Sequence, residues 1–295
     1  MIKLSIAFVF FFLISCNSKK SNVIIEDTFQ LYKVENQVGT LILFPGFGGG
    51  GSENTKKEFN IITLATKNNF SVLLMDFDQH VFLKNSEKES LKKELEILFI
   101  KNKLITENIF IGGFSSGGNV SLLLSDYLIK TKSNLIPKGV FIVDSPVDLL
   151  QIYEVSKKNI TNNDTSESLE ESKWIIENFN KDFGNPSKDT KNYEINAPFT
   201  FKTLNISNLQ NLKNTKIRLY TEPDIEWWKN YNGNEFRDLN AFSIQQMAKE
   251  LKKQYFQNIE VIYTKNKGYR ANGKKHPHSW SIVDKENLIT WMLNK

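Results

Sequence analysis

Hydrophobic positions along the chain gather into short, near-continuous runs separated by longer amphipathic or polar stretches. The runs 40–44 (TLILF), 71–76 (SVLLMD), 108–112 (NIFIG), 139–144 (GVFIVD), 216–221 (KIRLYT) and 259–264 (IEVIYT) read as strands. Between them, residues 59–67 have helix-like spacing, and 87–99 sets Leu91, Leu95 and Leu98 on one face of a charged helix. Further helices are expected over 119–130, 240–254 and 285–294. Strands apolar on both faces and separated by helices predict an α/β fold with a mostly parallel sheet covered on both sides. The interval 149–211 breaks the rhythm: it is polar, reads Asn-Asn-Asp-Thr-Ser at 162–166, and holds one helix candidate at 168–180. A stretch that long without a sheet strand is usually functional or mobile.

The chain has 295 residues, 40% hydrophobic and 24% charged, which is globular composition and excludes disordered and fibrous classes. Its formal charge of +5 is spread along the chain, with basic clusters no longer than pairs such as Lys19-Lys20, Lys56-Lys57 and Lys274-Lys275. Nucleic-acid binding needs a concentrated basic patch, so it is not expected.

The N-terminus adds an address. Lys3 is followed by an apolar run over residues 4–14 and then by Ser15-Cys16-Asn17-Ser18-Lys19-Lys20. That fits a signal peptide and is too short for a membrane-spanning helix, which needs about 20 apolar residues. Leu13-Ile14-Ser15-Cys16 resembles the lipobox of bacterial lipoproteins, and Cys16 is the one cysteine in the chain. The resemblance implies cleavage after residue 15, lipidation of Cys16, and export to the bacterial cell envelope with a membrane anchor. One cysteine also excludes a disulfide within the chain.

The strongest local signal is Gly113-Phe114-Ser115-Ser116-Gly117, directly after a predicted strand and before a predicted helix. It matches the G-x-S-x-G nucleophile elbow. A serine at so sharp a turn needs small residues two positions either side, and Gly113 and Gly117 meet that need for Ser115. Centring the motif on Ser116 would put Phe114 in one of those places. Ser115 is the nucleophile candidate, and Ser116 the neighbour whose N–H faces an oxyanion.

Upstream, the strand TLILF leads into Pro45-Gly46-Phe47-Gly48-Gly49-Gly50-Gly51. Gly46, Gly48 and Gly51 satisfy G-x-G-x-x-G, and Asp76 ends the next strand as a ribose-binding acid would, which supports a rival dinucleotide-binding oxidoreductase. The competing role is an oxyanion hole, with the N–H groups of Phe47 and Ser116 as donors. No G-K-[S/T] follows the loop, which excludes a Walker P-loop.

A serine nucleophile needs a base, and the histidines are His80, His276 and His278. His80 reads as a loop histidine. His276 and His278 flank Pro277 between the last strand and the last helix; His278, nearer the helix, is favoured, with His276 as alternative. For the acid that orients the base, Glu222-Pro223-Asp224 follows the strand KIRLYT; Asp224 is favoured, with Glu222 and Asp238 as alternatives. Trp174, Phe179, Phe199, Trp227 and Trp228 are candidates for an acyl or sugar pocket, or for ordinary packing.

Over residues 39–291 these features resemble the α/β-hydrolase superfamily, whose triad runs serine, acid, histidine along the chain, as Ser115, Asp224 and His278 do. The resemblance implies a single domain over 31–295 with a lid-like insertion at about 150–211, preceded by a signal peptide (1–15) and a lipidated tether (16–30). It implies a serine hydrolase that cleaves a carboxylic ester of a small molecule or polymer through an acyl-enzyme, with no metal or cofactor. Phe-Pro-Gly-Phe stands where many esterases of the family have His-Gly before the oxyanion donor. A non-catalytic envelope binding protein on the same fold is the alternative.

Overall fold

Where a run of residues is apolar on both faces, both faces find cover. The computed structural model describes residues 22–161 and 168–294. Among these the sheet strands are β1 (Asn22–Glu26), β2 (Phe29–Lys33), β3 (Gly39–Phe44), β4 (Phe70–Met75), β5 (Ile109–Phe114), β6 (Pro137–Val143), β7 (Lys216–Thr221) and β8 (Ile259–Tyr263). Their order is β1-β2-β4-β3-β5-β6-β7-β8. β2 runs antiparallel to β1 and to β4, and every pairing from β4 to β8 is parallel. The helices are α1 (Gly51–Phe59), α2 (Ile62–Lys67), α3 (Asn85–Asn102), α4 (Ser116–Lys130), α5 (Leu149–Thr161), α6 (Ser168–Phe183), α7 (Lys191–Asn196), α8 (Ile225–Asn232), α9 (Asn240–Lys253) and α10 (Lys285–Leu293).

The two-residue period of a strand sorts the core. Leu41, Leu43, Val72, Leu74, Phe110 and Phe141 face one side, against Ile61 and Ala65 near α2 and Leu288 and Ile289 of α10. Ile42, Leu73, Ile109 and Ile111 face the other side, against Leu91, Leu95 and Leu98 of α3 and Leu123 and Leu124 of α4. Val140, Ile142, Ile217 and Leu219 continue that second face against Ile244, Met247 and Leu251 of α9. The stripe on 87–99 is thus a core-facing stripe.

Between β6 and β7 the chain carries α5, α6 and α7. Leu149, Tyr153, Ile175, Phe179, Phe183 and Tyr193 form their own apolar cluster with Val81 and Phe82, and Phe47 and Trp174 pack against it. This region holds more helix than its polarity suggested, because α5 and α6 each expose one polar face and pack the other against their partner.

Three expectations need correction. Residues 22–30, read as tether, form β1 and the start of β2. The polar segment SENTKKE after Gly51, which does not read as a buried helix face, is part of a helix, α1, with buried Ser52, Thr55 and Phe59 on its inner side. Strand 139–144 ends one residue early: Asp144 leaves the sheet at φ 46°. Cys16 and the signal segment lie outside the described residues, as does the 162–166 stretch. Among the described residues no helix is long and apolar enough to cross a membrane.

Candidate active site

The site forms at the carboxyl edge of the parallel strands, where the chain leaves each strand for a loop or helix. β5 ends at Phe114, and Ser115 follows with φ 52° and ψ −127°, a sparsely populated region that costs a non-glycine residue about 1–3 kcal/mol. The surroundings enforce it. Ser115 N–H donates to Val143 O (2.9 Å). A Cβ on Gly113 would lie 2.1 Å from Gly117 O, and one on Gly117 would lie 2.3 Å from Pro45 O. The glycines two positions either side of Ser115 therefore allow the backbones of β3, β5 and α4 to touch. Gly46 also approaches closely, its hypothetical Cβ 3.3 Å from Ser115 Cβ.

Ser115, Ser116, Asp144, Glu222, His276, His278 and Phe47 all line one cavity of about 290 Å³. Within it, His278 Nδ1 lies 2.7 Å from Asp144 Oδ2. An ionised carboxylate only accepts, so a neutral imidazole in this contact carries its proton on Nδ1 and keeps its lone pair on Nε2. Asp144 is held in turn: Thr221 Oγ1 donates to its other oxygen (2.6 Å), its N–H donates to Tyr220 O (2.8 Å), and Asn240 Nδ2 donates to its carbonyl (2.8 Å). The imidazole packs 4.5 Å from the Phe114 ring. Trp280, stacked on Phe59 at 4.2 Å, fixes the chain just beyond it.

Asp224, expected to orient the histidine, is engaged elsewhere. It accepts from Lys275 Nζ at 2.6 Å and caps α8 through Trp227 N–H (3.2 Å). Burial works to raise its pKa, but the Lys275 ammonium and the Trp227 N–H prevail and hold its carboxyl below the usual range. The carboxylate on His278 is Asp144, directly after β6. Sequence reasoning missed it because it read as the last residue of a strand. The available signal was a carboxylate at the carboxyl end of the strand next to the elbow, where open parallel sheets place their sites.

Glu222 lines the cavity but acts on backbone. It accepts from Thr264 Oγ1 (2.9 Å), Lys267 N–H (2.8 Å) and Gly268 N–H (3.1 Å). Gly268 O then accepts from His276 N–H (2.9 Å), so Glu222 braces the loop that carries both histidines. Asp238 pairs with Lys158 on α5 at 2.5 Å. His276 sits two residues before His278, its ring 4.9 Å from Trp227 and 5.7 Å from Trp228. Burial, with His278 and Arg270 adding to it, holds its pKa down at about 3, so the ring is neutral at physiological pH. His80 stacks on Phe77 at 3.7 Å and faces Glu87. Phe179 and Phe199 are fully buried, Trp174 packs 4.3 Å from Phe47, and Trp228 lines the cavity.

The glycine-rich loop is pinned by Gly48 N–H to Asp78 O (2.8 Å). Ser116, the first residue of α4, has no acceptor for its N–H within the helix. Asp76 is not placed for a ribose: it accepts from Ser52 N–H (2.6 Å) and Ser52 Oγ (2.7 Å), and a Cβ on Gly51 would lie 2.0 Å from its oxygen. Gly51 of the G-x-G-x-x-G run thus packs on Asp76, whose carboxylate is taken up by Ser52. Among the described residues no three His, Cys, Asp or Glu side chains cluster as metal ligands.

The family profile described as steryl acetyl hydrolase matches residues 27–272. The chain belongs to this family. The match ends upstream of His276 and His278, so the histidine loop is described by the geometry alone. No curated protein matches. Among solved structures, the chain is similar to the Francisella virulence factor BioJ (17% identity, 92% of this chain and 83% of that one, TM-score 0.57). It is also similar to an esterase of Pyrococcus furiosus (17%, 93% and 92%, TM-score 0.54) and to carboxyl esterase 2 of the fungus Tuber melanosporum (15%, 92% and 82%, TM-score 0.55). At these identities the likeness shows the fold, which is the α/β-hydrolase fold. Family membership makes the chain a hydrolase of the esterase type.

Proposed function

We propose that this family member is a serine ester hydrolase in which Ser115, His278 and Asp144 form the triad. The observation that carries the reading is the 2.7 Å His278–Asp144 contact in the cavity that Ser115 lines. His278 Nε2 takes the Ser115 proton as Oγ attacks the acyl carbonyl. Asp144 fixes the tautomer and stabilises the imidazolium that forms. The N–H groups of Phe47 and Ser116 receive the oxyanion. The imidazolium then protonates the departing alcohol, and water, activated by the same base, releases the acid from Ser115. The name of the family points to an acetyl group as the acyl part. We further propose that the enzyme is exported and held in the bacterial envelope through a lipid on Cys16, as the lipobox-like Leu13-Ile14-Ser15-Cys16 supports.

Treatment with a fluorophosphonate, followed by mass mapping, tests the reaction class. The expected result is one adduct on Ser115, lost in Ser115→Ala. Folded protein that takes no adduct on Ser115 overturns the reading.

A further inference from the structure

One wall of the cavity is not used by the steps above. Downstream of β7, Trp228, Tyr231 and Asn234 line it beside His276. Asn234 is 5% exposed, yet its Oδ1 has no hydrogen-bond partner among the described residues. The same holds for His276 Nδ1. Buried polar atoms are normally satisfied, and two orphans along one cavity wall point to a ligand that satisfies them. Their position says which part of the ligand. The leaving alcohol must come within reach of His278 to receive its proton, and the rings of His276 and His278 are 6.3 Å apart. The wall therefore flanks the alcohol portion of the ester. An aromatic face beside buried hydrogen-bonding groups matches a ring with an apolar C–H face and hydroxyls at its rim.

We propose that the alcohol portion of the substrate is a hydroxylated ring, a sugar or cyclic polyol, that lies against Trp228 and donates a hydroxyl hydrogen bond to Asn234 Oδ1. This rests on the hydrolase reading of Ser115 and His278. The reaction balances as simple hydrolysis: water supplies the hydroxyl of the released acid and the proton of the released alcohol. A purely hydrocarbon alcohol such as a sterol ring would leave both orphan atoms unpaired, and a site that loses such bonds rejects the analogue lacking them.

The test compares a mono-O-acetyl methyl glucoside with cyclohexyl acetate on the full chain in detergent, reading the ratio of kcat/KM for the two esters. The wild type is expected to favour the sugar ester by about tenfold or more. Asn234→Leu is expected to lower that ratio about tenfold, and Asn234→Asp, which keeps an acceptor, to lower it less than about threefold. Trp228→Leu, on a partly exposed helix, gives a second variant should Asn234→Leu not fold, and it too should lower the ratio. A wild type that prefers cyclohexyl acetate, or variants that change both esters by one factor, overturns the proposal. If neither ester is cleaved while Ser115 still takes the fluorophosphonate, the proposal fails alone. If Ser115 takes no label, the hydrolase reading fails and carries the proposal with it.

Discussion

His278 Nδ1 and Asp144 Oδ2 are 2.7 Å apart although 134 residues separate them in the chain. The sheet makes the meeting possible. β6 lies beside β5, so Asp144 emerges next to Ser115, with Phe114 in register with Val143. The loop after β8 then folds back across β7 to bring His278 over both. Glu222, the Asp224–Lys275 pair, the stacked Trp280 and Asp144 all help to hold that loop.

The brace on the loop is testable. Glu222→Ala removes the acceptor for Thr264 Oγ1, Lys267 N–H and Gly268 N–H. Of these donors Gly268 N–H is buried, and leaving it unpaired costs about 1–3 kcal/mol; water reaches the other two, so a net loss of about 1–3 kcal/mol is expected. Glu222→Gln, which keeps an accepting oxygen, should lose less. Urea unfolding of the two variants checks the ranking, and equal stabilities would contradict it.

Backbone strain at the elbow predicts a trade between stability and activity. Ser115→Gly relieves a conformation at φ 52°, ψ −127°, offset by the freer unfolded chain of glycine. The net gain is expected to be about 1 kcal/mol, a rise in Tm of roughly 1–2 °C for a chain of this size. Esterase activity disappears with the hydroxyl. A lower Tm than wild type would mean that the strain at Ser115 is smaller than the entropic cost of glycine and would contradict this prediction.

Gly117→Ala goes the other way. Its Cβ would stand 2.3 Å from Pro45 O and 2.5 Å from Phe44 O, both backbone atoms with no room to move. Overpacking of this kind costs about 1–3 kcal/mol or more, and the shift would carry the α4 N-terminus away from the oxyanion site. Thermal unfolding should show a clear loss of Tm with kcat reduced beyond what the folded fraction explains.

The half-buried, neutral His276 gives stability a pH dependence. Its folded pKa of about 3 lies below the ordinary imidazole value of 6.5, so between those pH values the unfolded chain binds the proton more. Stability is therefore full above about pH 6.5 and falls as pH drops towards 3. At pH 5 the full linkage is about 2 kcal/mol, reduced to about 1 kcal/mol by water at the ring edge. His276→Phe should flatten urea stability between pH 7 and 5 relative to wild type. An unchanged slope would contradict the assignment.

The sequence made most of this fold legible because its signals are local. The apolar runs of β3 to β8 and the amphipathic stripe of α3 need no knowledge of their partners. The sharp turn at Ser115 was legible for the same reason, since the glycine spacing around it is a steric requirement of one turn. β1 and β2 were not, because the edge strand β1 is largely exposed and its apolar run, Val23-Ile24-Ile25, is only three residues long, while β2 mixes polar Gln30 and Lys33 with its apolar residues. The carboxylate that meets His278 was not legible either. Asp224 and Asp144 both follow strands, and their difference lies in tertiary partners: Lys275 claims one, while the loop after β8 delivers His278 to the other. Order along the chain could not separate them.

That distinction is also the most direct test of the proposed triad. Asp144→Asn and Asp224→Asn, each assayed for kcat on p-nitrophenyl acetate, remove one carboxylate apiece with little change of shape. The triad proposed here predicts a loss of about 10³–10⁴ in kcat for Asp144→Asn and less than about threefold for Asp224→Asn, whose carboxylate serves Lys275 and α8. A severe loss in Asp224→Asn with Asp144→Asn within about tenfold of wild type would contradict it.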